Sequence, residues 1–262
     1  MRLRGRRRSA AVLACTAALG LSACGGSDGA GEDGTLTVFA AASLHETFED
    51  IGELYTQETG RQVGFTFAGS SGLVEQLSHG APADVLATAD EASMDRAREL
   101  DLVEGGPEVF VSNHLVLITP AENPANIATL EDAAEDGVET VLCAVQVPCG
   151  AAAQQLLEAT GVEITPVSEE TSVTDVLGRV RTGEADTGLV YATDALQAGD
   201  QVRTFPVPGA EDQPNAYPIA QMRETEQPVA ATEFITFVLE DERARQILED
   251  AGFSPPDGRE PQ

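Results

Sequence analysis

The 262-residue chain has no tryptophan and no lysine, only three histidines, and aromatic residues at only 5% of the sequence. Without tryptophan there is no large aromatic platform for a sugar, so the 44 acidic residues indicate a solvated surface rather than a glycosidase pair. His45, His79 and His114 are scattered and do not have metal-ligand spacing. These absences weigh against glycoside hydrolysis and against a histidine metal site.

The charge of the chain is strongly one-sided. Its formal net charge is -29, and removal of residues 1–23, which carry five arginines and no acid, would leave -34. Such a surface repels DNA, RNA and anionic lipid, so nucleic-acid binding is not expected. An anionic ligand would have to be held by local dipoles, because the overall field opposes it.

The first residues predict export. An arginine-rich start is followed by the apolar stretch "AAVLACTAALGL" and by "LSAC", which resembles the lipobox of bacterial lipoproteins. We therefore expect a signal peptide over 1–23, a lipidated Cys24, and a flexible tether over 24–34. The protein would then be anchored, by lipid alone, to the outer face of the cytoplasmic membrane. The alternatives are an uncleaved membrane helix, for which the apolar stretch is short, and twin-arginine export.

Two cysteines remain after the signal and the lipobox are set aside. Cys143 and Cys149 stand in "VLCAVQVPCGAAAQQLL". Outside the cytoplasm, such a leftover pair favours a disulfide over a metal or redox role.

Strand-like and helix-like segments alternate along the chain, which predicts βαβ units and an α/β fold with mainly parallel sheets. The alternation restarts after "NHLVLITP" (113–120) and again at "YPIAQM" (217–222). We interpret this as two lobes: the first is discontinuous, over 35–114 and 217–257, and the second covers 115–216.

Enzyme motifs are missing from the sequence: it has no G-x-S-x-G elbow, no H-E-x-x-H and no Walker A loop. The serines of "FAGSSG", Ser70 and Ser71, leave a serine hydrolase open as an alternative of a different class.

Several strand-to-helix junctions carry small or hydroxyl residues and no charged ones. A helix start offers unpaired backbone N–H groups, and such starts bind anions readily. The competing interpretation is helix capping, since Ser43-x-x-Glu46 and Ser172-x-x-Asp175 both fit a capping box. The junctions are those at Ser43, at Ser70 and Ser71, at Cys149, and at Ser172 and Val173.

A set of motifs in fixed order then resembles a known family. The segments are "TVFAAASLHETF", "FAGSSGLVEQLSHGAPADVLATAD", "QVPCGAAAQQLL", "GEADTGLVYATDA" and "AGF". Together they are similar to the substrate-binding proteins of bacterial molybdate ABC transporters, the ModA family, over nearly all of 35–253. The resemblance implies a two-lobed periplasmic-binding-protein fold of the type II kind, with a ligand cleft between the lobes.

The resemblance also implies a ligand site made of neutral donors around a tetrahedral oxyanion. Ser43 and Ser70 would contribute hydroxyl and backbone N–H groups, and Ser71 is a further candidate contact. The chain departs from many relatives at Cys149, where alanine is common, and at Gly69, where serine is common. The implied molybdate ligands are Ser43, Ser70, Cys149 (backbone N–H), Val173 (backbone N–H) and Tyr191 (hydroxyl).

The implied function is capture of molybdate, with tungstate or sulfate as alternatives, and delivery to an ABC permease by a monomer without cofactor or catalysis. Molybdate is a dianion with no proton to donate, so a site without acceptors suits it. Phosphate keeps a proton at neutral pH and would require an acceptor.

Overall fold

The computed structural model describes residues 34–256. The predicted signal peptide, the lipidation site Cys24 and all but the last residue of the predicted tether lie outside these residues.

The first sheet has five strands in the order β2-β1-β3-β10-β4. Four of its strands come from the first half of the chain, and the fifth returns from much later. Their bounds are β1 Leu36–Ala41, β2 Val63–Ala68, β3 Val85–Ala87, β4 Val103–Asn113 and β10 Asn215–Met222.

The second sheet also has five strands, in the order β7-β6-β8-β5-β9. All of them come from the segment between β4 and β10. Their bounds are β5 Leu115–Pro120, β6 Thr140–Cys143, β7 Ser168–Glu170, β8 Thr187–Tyr191 and β9 Val202–Pro206.

Helices flank both sheets, which gives the two-lobed α/β architecture that the sequence predicted. Two short 3₁₀ turns lie at Ala42–Leu44 and Gly199–Gln201. The α-helices are α1 His45–Thr59, α2 Ser70–Ser78, α3 Glu91–Glu99, α4 Leu130–Ala133, α5 Pro148–Thr160, α6 Val173–Thr182, α7 Ala192–Ala198, α8 Pro228–Glu240 and α9 Glu242–Asp250.

The sheets are mixed, so "mainly parallel" describes only part of their pairing. In the first sheet β1 pairs in parallel with β2 and β3, whereas β10 runs antiparallel to both β3 and β4. In the second sheet β6 pairs in parallel with β7 and β8, whereas β5 is antiparallel to β8 and β9. The one reversed strand in each sheet, β10 or β5, is the strand that follows a passage of the chain between the sheets.

Helix α1 shows how the apolar pattern builds the first lobe. Its residues Phe48, Ile51 and Tyr55 recur at helical spacing and are fully buried. The helix ends at Gly60, whose left-handed φ of 78° suits glycine at this position. The Tyr55 ring packs edge-on against Phe234 of α8 at 5.3 Å, which ties the C-terminal helices to this lobe.

The chain passes between the sheets at two neighbouring places. It leaves β4 at Asn113 and enters β5 at Leu115, and it returns through β10, where Asn215 pairs with Asn113. Strand β4 is not predicted from the sequence, because "VEGGPEVFVSN" carries two glycines and a proline near its start, a pattern typical of a loop. It becomes a strand because β10 pairs with it from Val103 to Asn113, across two register shifts.

The fold brings strand ends together at the cleft. The five predicted ligand residues lie at or just after the carboxyl ends of β1, β2, β6, β7 and β8. In open α/β sheets this is where ligands bind.

Candidate functional site

One small cavity lies where elements of both lobes meet. Its volume is about 20 Å³, more than the ~10–15 Å³ that a single water requires. The first lobe lines it with Ala41, Ala42, Ser43, Gly69, Ser70 and Ala89, and the second with Val147, Pro148, Cys149, Ser172, Val173 and Tyr191.

All five residues expected to bind the anion line this cavity. Ser43, Ser70, Cys149, Val173 and Tyr191 come from five separate places in the sequence and all are buried. Their contact with a ligand stays a prediction, but the fold brings them to one point.

Ser71 is placed elsewhere. Its hydroxyl donates to the backbone oxygen of Gln146 in the second lobe at 2.5 Å, outside the cavity. The residue therefore joins the two lobes at the rim.

The cavity is lined by neutral groups. Its walls consist of alanine, serine, glycine, valine, proline, cysteine and tyrosine, with neither an acid nor a base. An anion here would be held by N–H and O–H dipoles.

The helix starts at the cavity supply backbone donors. Helix α2 begins at Ser70 and α5 at Pro148, and neither has a side-chain hydrogen bond at its N-cap. The first N–H groups of a helix have no partner within it, so these starts leave donors for a ligand. At the start of α6, by contrast, Ser172 is the N-cap and accepts from the N–H of Asp175 at 3.3 Å. The predicted capping box is only half formed, because the Asp175 carboxylate accepts from the Ser172 hydroxyl and not from its backbone N–H.

The predicted capping box at Ser43 is wrong. The chain forms a 3₁₀ turn over Ala42–Leu44 before α1 starts at His45, so Leu44 takes the N-cap position. The Ser43 hydroxyl instead contacts the hydroxyl of Tyr217, at 2.9 Å.

Four residues that line the cavity carry a hydroxyl, and the hydroxyls of Ser43, Ser70 and Tyr191, like that of Ser172, each have a protein partner. Besides the pair of Ser43 and Tyr217, the N–H of Ala89 donates to Ser70 Oγ at 3.0 Å. Asn215 Nδ2 donates to the Tyr191 hydroxyl, also at 3.0 Å. Burial raises the pKa of both Tyr191 and Tyr217 well above the ordinary value for tyrosine, so both phenols keep their protons at physiological pH.

The predicted disulfide between Cys143 and Cys149 is present, with the two Cα atoms 5.7 Å apart. It ties the end of β6 to the first turn of α5, where Cys149 lines the cavity. The turn is tight: a Cβ on Gly150 would lie 1.9 Å from the backbone oxygen of Ala144, so only glycine fits.

A buried carboxyl group lies behind Tyr191. Asp194 is 2% exposed and accepts the N–H of Tyr191 at 3.2 Å. Burial raises the pKa of Asp194 to about 7, and the nearby charge of Glu46 adds to the effect, while the Tyr191 hydrogen bond lowers it. The residue does not line the cavity.

Comparison with known proteins identifies the fold and the family. The sequence profile of the family described as bacterial extracellular solute-binding protein matches residues 36–254. The chain belongs to this family. A molybdate-binding protein ModA from Mycobacterium bovis is 42% identical over 245 residues, covering 90% of this solute-binding protein and 94% of the relative.

Solved structures share the architecture of this solute-binding protein. The periplasmic molybdate-binding protein of Azotobacter vinelandii superimposes with a TM-score of 0.74 at 22% identity, covering 87% of this chain and 100% of that one. The sulfate-binding protein SubI of Mycobacterium tuberculosis gives the same TM-score at 20% identity, covering 85% and 87%. The fold is thus common to binders of different oxyanions.

Asn215 and Tyr217 are residues at this site that the sequence analysis did not find. They come from β10, where the chain returns to the first lobe, and not from a strand-to-helix junction. The only signal available was their position at the predicted return crossing, near "NAYP".

None of the helices within residues 34–256 has the length and apolar character that crossing a membrane requires. The same residues contain no group of three or more His, Cys, Asp or Glu side chains arranged to hold a metal ion.

Proposed function

We propose that this solute-binding protein captures molybdate outside the cytoplasm and delivers it to an ABC permease. The observation that carries the proposal is the neutral, donor-lined cavity between the lobes, in which the five expected ligand residues meet. The curated relatives named as molybdate-binding proteins support the choice of anion.

The donors can outweigh the charge of the chain. Ser43 and Ser70 would each offer a hydroxyl and an N–H, Cys149 and Val173 an N–H, and Tyr191 a hydroxyl. A charge-assisted hydrogen bond contributes about 1.5–3 kcal/mol. The repulsive surface charge, by contrast, is screened beyond about 10 Å at 0.1 M salt.

The same donors discriminate against protonated anions. Hydrogen phosphate would bring a proton into a cavity that has no carboxylate to accept it. Tungstate and sulfate are dianions without a proton and remain the alternatives within this class.

The lobes would close around the anion, and the closed form would be what the permease recognises. We take the moving parts to be 35–114 with 217–257, and 115–216. The bond from Ser71 to Gln146 across the rim is one that closure makes. We further propose that the mature protein is a monomer that starts at a lipidated Cys24, with residues 24–34 as a tether to the membrane.

A serine hydrolase is the weaker alternative, since His45 and His79 contact groups other than Ser70. His79 Nδ1 is 2.8 Å from the backbone oxygen of Glu75, and the His45 ring packs on Phe67 at 4.6 Å. Ser70 Oγ accepts from a backbone N–H, which does not activate it as a nucleophile. We therefore propose that the protein has no catalytic activity and requires no cofactor.

Calorimetric titration of the mature protein with molybdate, tungstate, sulfate and phosphate at one ionic strength tests the proposal. We expect heat with molybdate and none with phosphate, and a much weaker response from Ser70→Ala. Absence of heat with molybdate and tungstate would refute it. Ester hydrolysis that is lost in Ser70→Ala while molybdate binding stays intact would favour the hydrolase.

A further inference from the structure

Two hydroxyls at the cavity, those of Ser70 and Tyr191, accept a hydrogen bond from an N–H group behind them. A serine or tyrosine hydroxyl can donate one hydrogen bond and can also accept. Which of these it offers a ligand depends on the group behind it. At Ser70 that group is the N–H of Ala89, which can only donate. The proton of Ser70 therefore has to point away from this N–H, and Ser70 lines the cavity.

Tyr191 is held in the same way, by the amide of Asn215. Asn215 Nδ2 lies 3.0 Å from the Tyr191 hydroxyl and 3.0 Å from the backbone oxygen of Ala89. A backbone oxygen only accepts, so the group that faces Ala89 must be the NH₂ and not the amide oxygen. Its two hydrogens serve Ala89 and Tyr191, and the tyrosine hydroxyl is an acceptor in this pair.

The backbone of a single residue, Ala89, thus orients the hydroxyls of Ser70 and Tyr191. The N–H of Ala89 fixes Ser70, and the oxygen of Ala89 fixes Asn215, which in turn fixes Tyr191. Ala89 follows β3 in the first lobe, whereas Tyr191 ends β8 in the second. The amide of Asn215 therefore also bridges the lobes.

The proton of Tyr191 then has two places to go. The hydroxyl of Tyr217 is a neighbour, and a dianion in the cavity is the other acceptor. The dianion is the stronger acceptor, because a hydrogen bond to a charged group is about twice as strong as a neutral one. Tyr191 consequently donates to the anion when the anion is present.

We propose that Asn215 is a positioning residue that presets the Tyr191 hydroxyl as a donor to the bound oxyanion. This inference rests on the proposed function and adds the residue that makes the site specific for anions without a proton. Without Asn215, the Tyr191 hydroxyl would be free to turn its oxygen or its proton to the cavity.

A double-mutant cycle with Asn215→Ala and Tyr191→Phe tests the proposal, with molybdate affinity measured by calorimetry. Each single variant should bind molybdate roughly 10- to 100-fold more weakly, the equivalent of one charge-assisted hydrogen bond. In the Tyr191→Phe background, Asn215→Ala should cost less than about threefold, because its partner is already gone. Gln221→Ala is the control, because this amide lies on the same strand and binds Thr232.

Asn215→Asp keeps the shape of the side chain and covers the case in which the alanine variant does not fold. Its carboxylate accepts the Tyr191 proton, so molybdate binding should fall further than in Tyr191→Phe. Equal losses from Asn215→Ala in both backgrounds would overturn the proposal, as would wild-type affinity in either Asn215 variant. If the wild type itself gives no heat with molybdate, the proposed function fails first; if it binds and the cycle is additive, only the role of Asn215 fails.

Discussion

Gly69 is the position where a single methyl group would reveal how tightly the lobes must close. A Cβ built on Gly69 lies 2.2 Å from the backbone oxygen of Thr171 in the opposite lobe. Real Cβ atoms do not approach closer than 3.0 Å, so Gly69→Ala would force the lobes apart by at least about 0.8 Å here. The backbone of Gly69 is extended, with a φ of -60°, so alanine itself is not strained.

The expected effect on binding follows from hydrogen-bond geometry. A donor at about 2.9 Å from the anion would move to about 3.7 Å, beyond hydrogen-bonding range. The second lobe would present Cys149, Val173 and Tyr191, and losing one of these bonds is worth about 1.5–3 kcal/mol. We therefore expect Gly69→Ala to weaken molybdate binding by roughly 10- to 100-fold.

Calorimetry and small-angle scattering together check this prediction. Gly72→Ala is the matched control, because it lies in the first turn of α2, the helix that Gly69 precedes as N-cap, and its Cβ would meet nothing within 4 Å. The control should bind as the wild type does and should contract on adding molybdate, whereas Gly69→Ala should contract less. If Gly69→Ala binds within about twofold of the wild type, contact at Thr171 does not limit closure and the reasoning is wrong.

Three further changes test other parts of the site. Ser43→Ala should weaken molybdate binding roughly 10- to 100-fold in calorimetry. It should also lower the unfolding free energy by about 1–3 kcal/mol in chemical denaturation, because the buried Tyr217 hydroxyl loses its Ser43 partner. An effect on stability alone would show that Ser43 is not a ligand residue. Reducing the Cys143–Cys149 disulfide should lower the unfolding free energy by roughly 2 kcal/mol and weaken molybdate binding, and unchanged affinity in reductant would show that the bond does not hold the Cys149 donor in place. Since burial raises the pKa of Asp194 to about 7, the folded state keeps a proton between about pH 4 and 7 that the unfolded state releases, so this residue lowers stability as pH rises through that window. The Tm of Asp194→Asn minus that of the wild type should accordingly increase from pH 5 to pH 8. A constant difference across that range would contradict the raised pKa of Asp194.

Much of the fold could be predicted from local pattern. The helical spacing of Phe48, Ile51 and Tyr55, closed by Gly60, identifies α1 without any tertiary information. Strands β7 and β9 were missed because "SEE" and "VRTFP" carry few buried residues, and pairing with neighbours makes them strands. Pairing across distant segments is not visible in a short window of sequence.

The residues of the candidate site also fall into those that a local sequence pattern predicts and those that it does not. Residues at strand-to-helix junctions, such as Ser70 and Cys149, can be found because the junction itself is a local pattern with a chemical meaning. Asn215 and Tyr217 carry no such pattern, since their role depends on which hydroxyl β10 places beside them. The capping box predicted at Ser43 is wrong for a related reason. The local residues fit either a helix that starts after Ser43 or a 3₁₀ turn that includes it, and the structure has the 3₁₀ turn.

The direction of each hydrogen bond explains how so acidic a chain can hold a dianion. A lysine or arginine in the cavity would attract any anion, including phosphate, and would leave a buried charge whenever the site was empty. Hydroxyl and N–H groups carry no net charge, so the empty cavity costs little, and their protons favour only a ligand that accepts everywhere on its surface. Ala89 and Asn215 complete this arrangement, because they occupy the acceptor side of Ser70 and Tyr191 and leave the proton of each hydroxyl for the ligand. Selectivity then depends less on the number of donors at the cavity than on the groups behind them, which turn those donors inward.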